Sequence, residues 1–246
     1  MSVFYEELTP AEFSERITEC PVGYLPLGTL EWHGPHLPLG TDALEGKNLF
    51  RLAAEKFGGI VFPELFLGPD RSCEENEREF FGMDMYIPIL RCEPYPLQQF
   101  PGSCYWVPED VYRLILLSIM KQAARAGFKV ICGSGHGPSF DLFMSLAGEV
   151  KEKYGITLIG PDMDRKDPVH YIQDHAAKSE TSNIMYFQPD LVHMENLSPD
   201  PNDFPKGVSG EDPRTKASVE YTAERIPVIL DRMGRMIKEA LASCDI

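Results

Sequence analysis

Short apolar runs alternate along this chain with longer stretches whose apolar residues recur at helical spacing. Val22-Gly23-Tyr24-Leu25-Pro26-Leu27 is an unbroken strand-like run. From Asp42 to Phe57, residues Leu44, Leu49, Leu52, Ala53 and Ala54 fall on a helical period, and Gly58-Gly59 closes the stretch. Ile60-Val61-Phe62 predicts a short buried strand. Pro108 to Gly127, carrying Val111, Leu114, Ile115, Leu117 and Ile119, predicts a long helix, and Lys129-Val130-Ile131-Cys132 a third strand. A helix over about 138–154 and a strand over Ile156–Ile159 make a fourth unit. Upstream, Thr9-Pro10-Ala11-Glu12 pairs an N-cap threonine with an acid three residues later, which predicts a helix to about Thr18. Thr215 to Leu241 reads as a last helix, bent at Pro227. Repeated strand–helix units argue for an α/β fold with a mainly parallel central sheet flanked by helices.

Between Leu67 and Val107 the periodicity is lost. Aromatic and apolar residues are dense there, among them Phe80, Phe81, Met83, Met85, Tyr95, Phe100 and Trp106. So apolar a segment is expected to pack, either on the functional site or on a neighbouring subunit, rather than stay disordered. At 246 residues the chain is expected to form a single domain, 1–246, with this long loop inserted at about 67–107.

Composition narrows the partners. A formal net charge of −15 disfavours nucleic acid and anionic membrane surfaces. No window is apolar for the length of a membrane span, and Met1–Glu7 lacks a signal peptide's basic and apolar regions. Six cysteines are scattered without a CxxC pair, so reduced thiols and a cytoplasmic location are expected.

The candidate chemistry is concentrated just after the first strand. Glu31, His33, His36 and Asp42 fall within one loop rich in glycine and proline. Carboxylate and imidazole together suit zinc, manganese or iron. Glu31 and His33 are two apart, so in an extended segment they project to the same side and can serve one metal or each of a close pair. Asp42 opens the next helix, where a carboxylate either caps the helix or bridges two metals. His136 follows the third strand by one short turn, so neighbouring parallel strands would bring it to the first loop.

The loop, read as Glu31-Trp32-His33-Gly34-Pro35-His36-Leu37-Pro38 and ending at Asp42, resembles the E-x-H-G-x-H-L-P-x-x-x-D signature of the creatininase (creatinine amidohydrolase) family. Gly133-Ser134-Gly135-His136-Gly137 is similar to that family's N-G-H-G-G element, and His175 to Ser182 to its H-A-x-x-x-E-T-S element. Phe100-Pro101-Gly102-Ser103 resembles F-P-G-T, and Gly207 to Pro213 resembles G-x-x-G-D-P. The resemblance implies a three-layer creatininase-like fold, a small-molecule substrate and a homo-oligomer, expected to be a hexamer.

It also implies a dinuclear centre of Zn, Mn or Fe. Glu31 and His136 would hold one ion and His33 the other, with Asp42 between them. In creatininase proper a glutamate lies two positions beyond the histidine of the third strand. Pro138 stands there in this chain and cannot ligate, so Glu180 is the expected replacement; with no carboxylate in that place, a single ion is the alternative. His175 matches the family's catalytic histidine and is the expected proton shuttle, with Asp174 orienting it. His36, Tyr171 and Trp106 are the residues expected at the substrate. The expected activity is metal-dependent hydrolysis of a cyclic amide or related C–N bond. The alternatives are a carbon–carbon hydrolase opening a cyclic diketone of inositol catabolism, and a non-catalytic metabolite-binding or scaffold protein.

Overall fold

A computed structural model describes residues 1–86, 93–161 and 174–244. Four parallel strands form the central sheet: β1 (Val22–Leu27), β2 (Ile60–Val61), β5 (Val130–Gly135) and β6 (Thr157–Ile159), in the order β2-β1-β5-β6. β1 and β5 pair along their whole length, from Val22 opposite Val130 to Leu27 opposite Gly135.

Side-chain alternation along the strands divides the core into two. Val22 and Tyr24 of β1, with Val130 and Cys132 of β5, join Phe50, Ala53 and Ala54 of α2 (Thr41–Phe57) and Ile226, Leu230, Met233 and Ile237 of α8 (Val219–Ala242). Leu25, Leu27 and Ile131 point the other way, toward α3 (Glu109–Ala126), α4 (Gly137–Ser145) and α5 (Ala147–Tyr154), where Tyr112, Leu116, Met120, Phe140, Phe143 and Val150 are buried. Phe13 and Ile17 of α1 (Pro10–Glu19) pack at the edge of that second cluster. The expected three-layer α/β architecture is what forms, because a strand buried on both faces must be apolar throughout, as β1 is.

Local signals account for most boundaries. Thr9 and Glu12 form the predicted capping box at the start of α1, each side chain accepting the other residue's backbone N–H. Two predicted helices are each divided in two. The stretch 138–154 breaks at Leu146, whose N–H turns to Phe143 O in a tight i→i−3 bond before α5 begins. The stretch from Thr215 becomes α7 (Pro213–Lys216) and α8, because Ser218 takes an extended conformation and caps α8 at Tyr221 N. α8 itself runs through Pro227.

The described residues after Leu67 carry more regular structure than their pattern suggests. It contains a hairpin of β3 (Ser72–Glu75) and β4 (Arg78–Phe81), joined through Asn76 and Glu77, both with positive φ as a two-residue hairpin turn requires. Gly82–Asp84 follows as a single 3₁₀ turn. The buried Asp84 carboxylate accepts from Phe81 N at 3.1 Å and Phe100 N at 2.7 Å, pinning the two ends of this excursion together. No helix among the described residues is long and apolar enough to cross a membrane.

Candidate metal centre

Three neighbouring parallel paths end at the same edge of the sheet. β1 leads into Glu31 and His33, and β5 leads directly into His136. The chain beyond β2 continues beside β1, with Leu65 N bonded to Pro26 O and Gly28 N bonded to Leu65 O, and delivers Asp70. The corner at the end of β5 depends on Gly135: with φ at +136°, a side chain there would collide with the Leu27 carbonyl, which accepts the His136 N–H at 2.9 Å. A fourth element, α6 (Lys178–Phe187), brings Glu180 from the far side.

These paths gather three buried histidines and four carboxylates. His136 Nδ1 lies 3.0 Å from Glu31 Oε1 and 3.6 Å from Asp42 Oδ2. His33 Nε2 lies 3.5 Å from Asp42 Oδ2, 3.7 Å from Glu180 Oε2 and 4.0 Å from Glu31 Oε1. His175 stacks on His33 with ring centroids 4.4 Å apart, and its Nδ1 is 4.0 Å from Glu31 Oε1. Three donor groups therefore overlap, Glu31/Asp42/His136, His33/Asp42/Glu180 and Glu31/His33/His175, the donor atoms of each within 4.8 Å of one another.

Burial and mutual charge set the protonation of the cluster. Burial acts to raise Glu31 and Asp42, but the surrounding histidines outweigh it and hold both below the usual carboxylate range. Burial likewise opposes charge on His33 and His136, yet Asp42 and Glu31 raise both. Burial and then the Asp42 charge push Glu180 well up. Burial, followed by the charge of Glu31, raises Asp70 to about 6. Glu31 Oε2, His33 Nε2, Asp42 Oδ2 and His136 Nε2 are all buried without a hydrogen-bond partner. A concentration of inward-facing, unsatisfied oxygen and nitrogen donors with excess negative charge is the environment a divalent cation neutralises. The donor set fits a metal centre.

The residues singled out in the sequence, Tyr171 apart, each have a definite place. Glu31, His33, Asp42, His136, Glu180 and His175 converge. Asp42 lies inside the first turn of α2 with its carboxylate turned to the two histidines, not to the helix end. Trp106 also reaches the centre, its ring 6.0 Å from that of His136 and stacked on Phe81. Asp174 departs from expectation: its carboxylate accepts the N–H groups of Ser179 and Glu180 and so caps α6, while His175 Nε2 is bonded to Trp32 O at 2.7 Å. Burial pushes the Asp174 carboxyl up to about 7. His36, expected at the substrate, is 1% exposed and bonded through Nε2 to Thr181 Oγ1 at 2.9 Å, a contact that ties the ligand loop to α6. Burial, with the neighbouring His33 charge, lowers it to about 4. Tyr171 lies outside the described residues. Asp70 was missed; the available signal was a carboxylate placed after Gly68-Pro69 at the end of a further parallel path.

Described residues of the segment 67–107 pack on the site. Gly82, at φ +51°, lies so close that a Cβ would sit 3.2 Å from Glu31 Oε2 and 2.7 Å from Asp70 Oδ2. The Trp32 ring is stacked on Phe100 at 4.6 Å, and the Trp32 backbone N–H donates to Ser103 Oγ at 3.1 Å.

The family model described as Creatininase, creatinine amidohydrolase, matches residues 6–225. The chain belongs to the creatininase family. Its relatives in that family include the mycofactocin precursor peptide peptidase of Mycolicibacterium smegmatis, 23% identical over 181 residues, which are 72% of this chain and 62% of that protein. The match thus spans less than two thirds of that relative's length. The 3-dehydro-scyllo-inosose hydrolase of Thermotoga maritima is 21% identical over 97% of this chain and 84% of its own. A crystal structure of creatinine amidohydrolase superposes with a TM-score of 0.72 at 20% identity, covering 97% of each chain. Solved creatininases include a manganese form and a Zn–Zn form. The family's named members are hydrolases, and its fold is the one found here.

Proposed function

We propose that this creatininase-family chain is a dinuclear metal hydrolase, with Glu31 and His136 holding one ion, His33 and Glu180 the other, and Asp42 shared between them. The observation that carries this reading is the overlap of two donor groups at Asp42, the second completed by Glu180; on this reading Glu180 does the work that Pro138 cannot. Divalent ions held there supply Lewis-acid activation of water and of a substrate carbonyl. The chain's own groups do the rest. His175 donates Nε2–H to Trp32 O, which leaves Nδ1 turned toward Glu31 as the atom that takes and returns a proton. Burial, then the His33 charge, lowers His175, so the ring is a neutral base near pH 7. Asp174 fixes the first turn of α6 and with it the position of Glu180. Gly82, Phe81 and Trp106 cover the centre and keep bulk water from it.

The substrate reading is a small molecule with a cyclic amide or related C–N bond. Hydrolytic opening of an oxidised cyclitol ring at a carbon–carbon bond is the second reading, favoured by the alignment with the T. maritima inosose hydrolase over 97% of this chain. Analysis of products for released amine or ammonia separates the two. Metal content per subunit, measured by plasma mass spectrometry on protein purified without chelator, tests the centre: about two equivalents are expected. About one would replace the pair by a mononuclear site. No bound metal, and none regained with zinc or manganese, would overturn the hydrolase reading.

A further inference from the structure

We propose that Asp70 is the positioning residue for His136, a carboxylate set behind the ring so that its other nitrogen is turned to the metal. The inference rests on the dinuclear reading above. His136 presents Nδ1 to Glu31 and Asp42, at 3.0 and 3.6 Å, and its Nε2 to Asp70 Oδ2 at 3.5 Å. That Nε2 is buried with no hydrogen-bond partner. A histidine that binds metal through one nitrogen commonly directs the opposite N–H at a carboxylate, which selects the tautomer and fixes the plane of the ring. Asp70 Oδ2 is the carboxylate oxygen facing it, a small side-chain adjustment away from a hydrogen bond.

Asp70 is itself held. Its Oδ1 accepts the Arg71 N–H at 2.6 Å, with the Arg71 guanidinium 3.8 Å away. Arg71 is doubly bonded to Gly82, through Gly82 N to Arg71 O at 3.0 Å and Arg71 Nη2 to Gly82 O at 3.2 Å. Gly82 in turn lies against Asp70 Oδ2, too close for any side chain. The ring of Trp106 flanks His136. The segment that breaks the strand–helix pattern therefore supports one half of the centre, through a carboxylate that binds no ion itself.

The test uses the full chain loaded with manganese, in wild-type, Asp70→Ala and Asp70→Asn forms. Ion content after graded chelator treatment is followed by plasma mass spectrometry, and pairing of the two ions by electron paramagnetic resonance. Asp70→Ala is expected to release one of two ions at about 10- to 100-fold lower chelator concentration, the other staying bound, and to replace the coupled-pair spectrum by that of an isolated ion. Asp70→Asn keeps an acceptor oxygen and is expected to fall between the two. Both variants retaining two ions with wild-type resistance would overturn the proposal and leave the dinuclear reading standing. So would an equal fall in melting temperature with and without manganese at unchanged ion content, since Asp70 would then only support the fold. Failure of the reading beneath it shows separately, as wild-type protein that holds no pair.

Discussion

Two corners of the molecule face each other across the centre and are built in opposite ways. The corner after β5 is fixed by backbone: six register pairs to β1, a glycine that permits close approach, and the His136 N–H on the Leu27 carbonyl. The turn from Asp174 to Glu180 is fixed largely by side chains. Asp174 caps α6, Glu180 accepts the Ala176 N–H, Thr181 Oγ1 donates to Ala176 O, and Ala176 takes φ of +52°. The sheet-end corner has little freedom to supply a different group at a different distance, whereas the turn adjusts reach by changing one short side-chain network. In the dinuclear reading proposed above, that difference is what would let a carboxylate from α6 serve in place of one at the Pro138 position.

The comparison breaks most visibly at His136. His136→Ala is expected to lower metal-dependent hydrolysis by roughly a hundredfold or more without unfolding the chain, measured as initial rate alongside far-ultraviolet circular dichroism. Full activity would remove this corner from the centre. Glu180→Gln tests the other side: the expected outcome is loss of one metal equivalent with the second retained. Retention of both ions would return the search for the missing carboxylate to another element.

The two corners also differed in how plainly they could be read from sequence. β5 announced itself by Val130-Ile131-Cys132, and the glycines around His136 marked a turn. α6 gave no such signal, since the residues it buries are Thr181, Ser182 and Ile184, too few apolar side chains to show a helical period. Its one donor, Glu180, was found by family resemblance, and the geometry groups it with His33 and Asp42. Asp174 was misjudged because adjacency to His175 along the chain says nothing of direction: an extended residue sends its side chain away from its neighbour's. The hairpin β3–β4 escaped because β3 is wholly exposed and β4 places its two apolar residues, Phe80 and Phe81, side by side, so neither strand shows the alternation that would mark it. Asp70 escaped because its partner, His136, follows a different strand far along the chain.

Smaller effects sharpen the contrast. His36 anchors the first loop to the turn side, through Thr181. Above pH 6.5 its imidazole is neutral in both folded and unfolded chains. Below that the unfolded ring takes a proton that the buried ring, lowered to about 4, refuses. Stability is therefore lost as pH falls from 6.5 toward 4, by up to about 3 kcal/mol. Urea unfolding across that window is expected to show a flatter dependence for His36→Asn, and an unchanged slope would place the titration elsewhere. The smallest change is expected at Ala176. Glycine relieves the positive φ but frees the unfolded chain and removes a buried methyl group, so Ala176→Gly is expected to shift stability by less than about 1 kcal/mol. A loss well beyond that would show that the methyl group, packed with Leu37 and Val208, matters more than the backbone.

The donors are drawn from positions 31 to 180, on strand ends, a helix start and a turn that meet only when the sheet has closed. A chain still emerging during synthesis, or one cut before α6, has fragments of the set but never the whole. In the metal-binding reading proposed above, ion uptake would then reward the finished arrangement alone, and a chain whose sheet has not closed would hold metal less well.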